Sequence, residues 1–249
     1  MVEKLGVQRL QKLGWLFPVL LIAIISTVFE PSWMTNDDAA MSMVAHGYGA
    51  IAEASPKLIF TNIYWGKVIQ SLPTIGGVYG YSLATYLVLA VSSILCFLFL
   101  QRRGLLFWEC SAILLTAIVV AVLFPQFTIT AGMASVAAVL CLIEYSKTKQ
   151  IQWLLLSIAT GFIGFLIRKY EFALVVGVGL PFLPWAVLYR DLRFIVGAVL
   201  FGIIVAFAFF SDKSFYESDD WSEYKTTVPT ATEFVAYSIG PQLLERSEL

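Results

Sequence analysis

Charge is scarce in this sequence: Asp, Glu, Lys and Arg together make up 13% of 249 residues, and histidine occurs once, at His46. There is no run of basic residues, no Cys/His zinc spacing and no glycine-rich phosphate loop. With a formal net charge of -1, nucleic-acid binding and nucleotide-phosphate chemistry have no footing. Cys96, Cys110 and Cys141 lie inside apolar runs and form no CxxC pair, which suits buried thiols and not a disulfide framework. What the chain has in place of charge is hydrophobic mass, 59% of its residues, with a mean hydropathy of +0.82. That balance excludes an ordinary water-soluble domain and points to an all-α integral membrane protein.

A bilayer core about 30 Å thick needs roughly 20 apolar residues of helix. Seven stretches are read as transmembrane helices, at 15–28, 81–100, 105–124, 127–145, 153–167, 172–188 and 194–210. The first follows Lys4, Arg9 and Lys12 like a secretory signal. No small-residue cleavage site comes after it, so a retained anchor is expected. With the N-terminus in the cytoplasm, Arg102, Arg103, Lys147, Lys149, Arg190 and Arg193 fall on that same side, in agreement with the positive-inside rule. The transmembrane domain then spans 1–210. Its first outer loop is 31–80, the 168–171 turn is also outside, and 211–249 forms an outer-face tail. Glu109 and Glu144 lie about a turn from the inner helix ends, where pairing with Arg102 or Lys147 is expected. No span carries a carboxylate near its middle, which counts against a proton-driven transporter.

A connection of some fifty residues between spans tends to be functional. After Thr35-Asn36-Asp37-Asp38, the residues Met41, Val44, Ala45, Tyr48, Ile51 and Ala52 recur at helical spacing, with Thr35 or Asn36 as cap and Pro56 as terminator. Asp38, Ser42, His46 and Glu53 form the other stripe, expected to turn away from lipid. A second amphipathic stretch runs over 58–72. Two readings of Asp37 and Asp38 stand at this point. In the first they favour the dipole at the start of a helix. In the second a carboxylate at the membrane surface accepts a proton from an acceptor hydroxyl, while its neighbour orients the group or binds a divalent metal. His46 reads as a face residue, with substrate contact a weaker alternative.

The order of a first span, the string Thr35-Asn36-Asp37-Asp38-Ala39-Ala40-Met41-Ser42-Met43, the stretch Pro56-Lys57-Leu58-Ile59-Phe60-Thr61-Asn62-Ile63-Tyr64-Trp65-Gly66-Lys67, and a second span resembles bacterial members of the GT-C glycosyltransferase superfamily. These are multispan enzymes that use polyprenyl-phosphate-linked sugars. The resemblance implies sugar transfer to an envelope glycan or lipid-linked acceptor at the outer face of the bacterial cytoplasmic membrane. Asp37 and Asp38 together would supply the general base. It also implies basic side chains that hold the donor phosphate, and Arg168 and Lys169 match by position and charge. An ordinary surface pair with Glu171 is the other reading of those two. Trp221 and Tyr224 in the tail could stack on a sugar face, or mark the interface. Enzymes of this kind commonly have more than seven spans, so the sequence is expected to be part of a longer one. A flippase or transporter of lipid-linked sugars, and a non-catalytic assembly subunit, are the alternatives.

Overall fold

The computed structural model describes residues 13–49, 51 and 53–217. Helices follow one another in the order α1 (Leu16–Val28), α2 (Asn36–His46), α3 (Ile63–Ser71), α4 (Gly80–Arg102), α5 (Phe107–Leu123), α6 (Phe127–Thr148), α7 (Ile151–Ile167), α8 (Lys169–Gly179), a 3-10 turn (Leu180–Phe182), α9 (Trp185–Leu188) and α10 (Leu192–Phe215). Among the described residues the only strand-like feature is an isolated bridge between Ile75 and Val78. Contacts divide the chain into Met1–Ala208 and Phe209–Leu249. Of the second unit the described residues are 209–217, in which Lys213 pairs with Glu217 at 3.7 Å.

Three helices, α4, α6 and α10, are long and apolar enough to cross a bilayer, while α1, α5 and α7 are apolar but shorter. The chain therefore belongs in a membrane. At 1.5 Å per residue, the 23 residues of α4 reach about 35 Å, whereas the 17 residues of α5 and of α7 reach only about 26 Å. The stretch at 172–188 differs from its expectation of one continuous helix. The 11-residue α8 gives way at Leu180 to a 3-10 turn with Pro181 in it, and Pro184 precedes α9. Proline removes a backbone donor and crowds the preceding turn, so hydropathy alone overstates this segment.

Two cores hold the first unit together. One gathers Leu89, Phe97, Ile118, Val122, Ala137 and Tyr145 between α4, α5 and α6. The other lies under the 31–80 loop and joins Met41, Ala45, Trp65 and Ile69 to Tyr81, Phe127, Ala131 and Ile167. The second core explains a further difference from the sequence reading. α2 stops at Gly47, whose left-handed φ of 66° closes the helix before the expected run to Pro56. Its polar stripe also points inward, since Asp38 and Ser42 are both buried. The loop helices are packed on the end of the bundle. At Gly66 in α3 any Cβ would run into the Pro56 carbonyl, so glycine lets the backbone of the loop close on itself.

The two ends of the bundle are held differently. At the end carrying α2 and α3, backbone bonds tie Ser32 N–H to the Leu123 carbonyl (3.1 Å), Met34 N–H to the Pro125 carbonyl (3.3 Å) and Asn62 N–H to the Leu166 carbonyl (2.8 Å). At the other end Glu144 accepts from Arg102 at 3.2 Å and Arg103 at 2.7 Å. Among the described residues Glu109 makes no such pair and instead accepts the Leu106 N–H at 2.8 Å, capping its own helix.

Candidate active site

Asp38 occupies the third position after Thr35, where an acidic side chain ordinarily turns back to cap its own helix. Here it turns outward to its neighbours. One carboxylate oxygen, Oδ1, accepts the Tyr81 hydroxyl at 2.8 Å and the Phe127 N–H at 2.9 Å. The other, Oδ2, accepts the Thr35 hydroxyl at 2.9 Å. Tyr81 is in the first turn of α4, and Phe127 opens α6, so its N–H is one that the helix itself leaves without a partner. One side chain thus joins the N-termini of three helices, and it is 0% exposed. Burial pushes its carboxyl pKa upward, against the three hydrogen bonds, which pull it down; the charge of Asp37 adds to the rise.

Asp37, one residue earlier, is exposed. Both aspartates stand in the first turn of α2, where the helix dipole favours negative charge. They differ in reach: Asp38 is sealed among its donors and Asp37 faces outward. The sequence treats them as a pair, and the structure separates them.

His46, at the other end of α2, accepts the Tyr81 N–H on Nε2 at 3.1 Å. That bond requires an unprotonated Nε2, and it gives one orphan donor at the start of α4 an acceptor from another helix. Burial lowers the His46 pKa, in keeping with the neutral ring. Tyr79 lies beside His46 at 5.5 Å and stacks on Tyr48 at 4.2 Å, and Trp33 meets Tyr81 edge-on at 5.2 Å. His46 is therefore part of the scaffold that presents the aspartates.

Arg168 follows the last residue of α7. Its guanidinium stands 4.7 Å over the ring of Phe127 and 6.0 Å from that of Phe60. It donates to the Thr128 hydroxyl at 3.0 Å and pairs with Glu171. Phe127 is thus shared: its N–H serves Asp38 and its ring carries Arg168. Lys169 is exposed next to it, 5.3 Å from the Tyr170 ring. The aspartates and the Arg168 turn accordingly lie at one end of the bundle. Asn62 braces this end by capping α3 through the Tyr64 N–H at 3.0 Å and donating to the Ala208 carbonyl at 3.0 Å. Trp221 and Tyr224 lie outside the described residues.

Sequence reasoning missed Tyr81, Phe127, Thr128 and Asn62. Asn62 could have been found, as an Asn directly before an apolar helix. Tyr81 and Phe127 could not, because their bonds to Asp38 span 43 and 89 positions. No group of three or more His, Cys, Asp or Glu lies together among the described residues. No family model matches the sequence, and no curated protein or solved structure matches the chain.

Proposed function

We propose that the chain is a GT-C-like glycosyltransferase that moves a sugar from a polyprenyl-phosphate-linked donor to an envelope glycan or lipid-linked acceptor, at the outer face of a bacterial cytoplasmic membrane. The observation that carries this reading is the shared Phe127: its N–H binds Asp38, next in sequence to the exposed Asp37, and its ring carries Arg168, so the acidic loop and the basic turn meet at one end of the bundle. Sugar transfer from a lipid phosphate needs those two charges on one side of the bilayer.

In this reading Asp37 is the general base and Asp38 positions it. The Asp37 carboxylate accepts the proton of the acceptor hydroxyl as that oxygen bonds to the anomeric carbon. The bond from the anomeric carbon to the phosphate oxygen breaks, its electron pair leaves with the polyprenyl phosphate, and the sugar inverts. Arg168 and Lys169 offset the charge on the departing phosphate, with Arg168 preset by Thr128, Glu171 and Phe127. The lipid tail and the fixed headgroup bring the reactants together, so orientation supplies much of the rate.

The test is sugar transfer from a labelled polyprenyl-phosphate donor by membranes carrying Asp37→Asn or Asp38→Asn, with lipid-linked sugar flux followed in the same vesicles. Asp37→Asn is expected to lower transfer about 100-fold or more, the usual scale of a general base. Transfer that survives Asp37→Asn removes the base assignment. Flux without any transfer by the parent protein removes the enzyme reading in favour of a transporter.

A further inference from the structure

We propose that the end of the bundle opposite the aspartates carries a binding site for the phosphate of an anionic phospholipid, built from Arg102, Arg103 and Trp153. This inference does not depend on the glycosyltransferase reading. Cationic residues at this end are matched unequally. Lys149 has a carboxylate largely to itself, Asp191 at 2.8 Å, which Tyr145 also supports at 2.9 Å. Arg102 and Arg103 must share Glu144, one oxygen each. Among the described residues, one unit of positive charge is therefore left over in the corner between α4, α6 and α7.

Two orphaned donors lie in the same corner. Arg103 Nε and Trp153 Nε1 are both buried and have no hydrogen-bond partner among the described residues. A buried donor without an acceptor is uncommon, and an unseen bound group is among its ordinary explanations. Trp153 is 4% exposed, and the Arg102 guanidinium lies 4.9 Å over its ring. Arg102 itself is 42% exposed on its side chain and has spent only one nitrogen on Glu144, so its fork remains open to the outside. The corner thus combines surplus positive charge, a planar donor suited to phosphate oxygens and an amphipathic indole.

Position selects the source of the phosphate. α4 runs from Tyr81, which holds Asp38, to Arg102, a rise of about 30 Å at 1.5 Å per residue. If the aspartate end sits at one membrane surface, the arginine corner sits at the headgroups of the other. There a basic cluster at the helix ends meets anionic lipid at high local concentration. A zwitterionic headgroup offers the same phosphate with a compensating cation, which the surplus charge disfavours.

The full chain reconstituted in nanodiscs of phosphatidylcholine and phosphatidylglycerol in equal parts, then released for native mass spectrometry, reads out which lipid is retained. Retention of phosphatidylglycerol over phosphatidylcholine is expected. Arg102→Gln is expected to lower that preference about tenfold, the scale of one charge-assisted contact, and it leaves Glu144 paired with Arg103. Trp153→Phe keeps the packed ring, removes the donor and is expected to weaken the preference in the same direction. Arg190→Gln deletes an equal charge at the same end, beside Tyr189, and is expected to leave the preference intact. Equal retention of the two lipids by the parent overturns the proposal. So does an equal loss in Arg190→Gln and Arg102→Gln, which would mean diffuse attraction without a site.

Discussion

Replacing Asp38 separates the loss of a charge from the loss of a hydrogen-bond hub. In Asp38→Ala the Tyr81 hydroxyl and the Phe127 N–H lose their acceptor where water does not reach, since Tyr81 is 1% exposed and the Phe127 bond is buried. Each orphaned donor costs about 1–3 kcal/mol, and the half-buried Thr35 hydroxyl adds little, so the variant should lose about 2–6 kcal/mol. Asp38→Asn keeps an oxygen for Tyr81 and Phe127, turns its amide toward a Thr35 hydroxyl free to reverse its role, and removes the cost of a buried charge. It should lie within about 1 kcal/mol of the parent. Unfolding of the purified protein by SDS titration, followed by helical circular dichroism, measures both. If alanine is as well tolerated as asparagine, Asp38 does not join the three helix ends and its burial has some other basis.

Stability should also depend on pH through the same cluster. The His46 pKa is lowered in the folded state, so the unfolded chain binds more protons near the ordinary value of about 6.5. Stability is full above that value and is lost as pH falls through the folded pKa. His46→Gln, which retains an acceptor for the Tyr81 N–H, should flatten that loss in the same titration. Asp38 runs the other way: with its pKa raised, the folded state holds its proton longer, and stability declines as pH rises from about 3.9 through the folded value. The difference between parent and Asp38→Asn across that window isolates the effect. At the opposite end, Glu144→Gln leaves two arginines without their carboxylate. Because both guanidinia are partly exposed, a loss of about 1–3 kcal/mol by SDS titration is expected, less than for a fully buried pair. Gly66→Ala presses a Cβ on the Pro56 carbonyl, a backbone atom that cannot swing aside. It should cost about 1–3 kcal/mol and increase proteolysis within 47–62.

Long periodic segments were legible in the residues. The expected 81–100 and 127–145 fall within α4 and α6, because about twenty predominantly apolar residues leave few other solutions. The loop helices were legible in kind, through Thr35 and the apolar spacing, but not in orientation. A stripe of Asp38, Ser42 and His46 reads as the wet face until the partners that satisfy it are known, and those partners sit far along the chain. Hydropathy likewise carried 172–188 across two prolines, because a window average does not register a missing N–H. The pairing of Glu144 was foreseeable as an acid near a basic helix end, although Arg103 came with Arg102. Asp37 and Asp38 are adjacent and chemically identical; the difference between them comes entirely from which one α4 and α6 enclose.

The central claim is that the acidic loop and the basic turn after α7 face the same aqueous compartment. Asp37→Cys and Lys169→Cys place single thiols at two exposed positions, while the native Cys96, Cys110 and Cys141 are buried. A membrane-impermeant maleimide applied to sealed vesicles of one known orientation should label both sites or neither. Labelling of one, with the other reached only after the membrane is opened, would contradict the account.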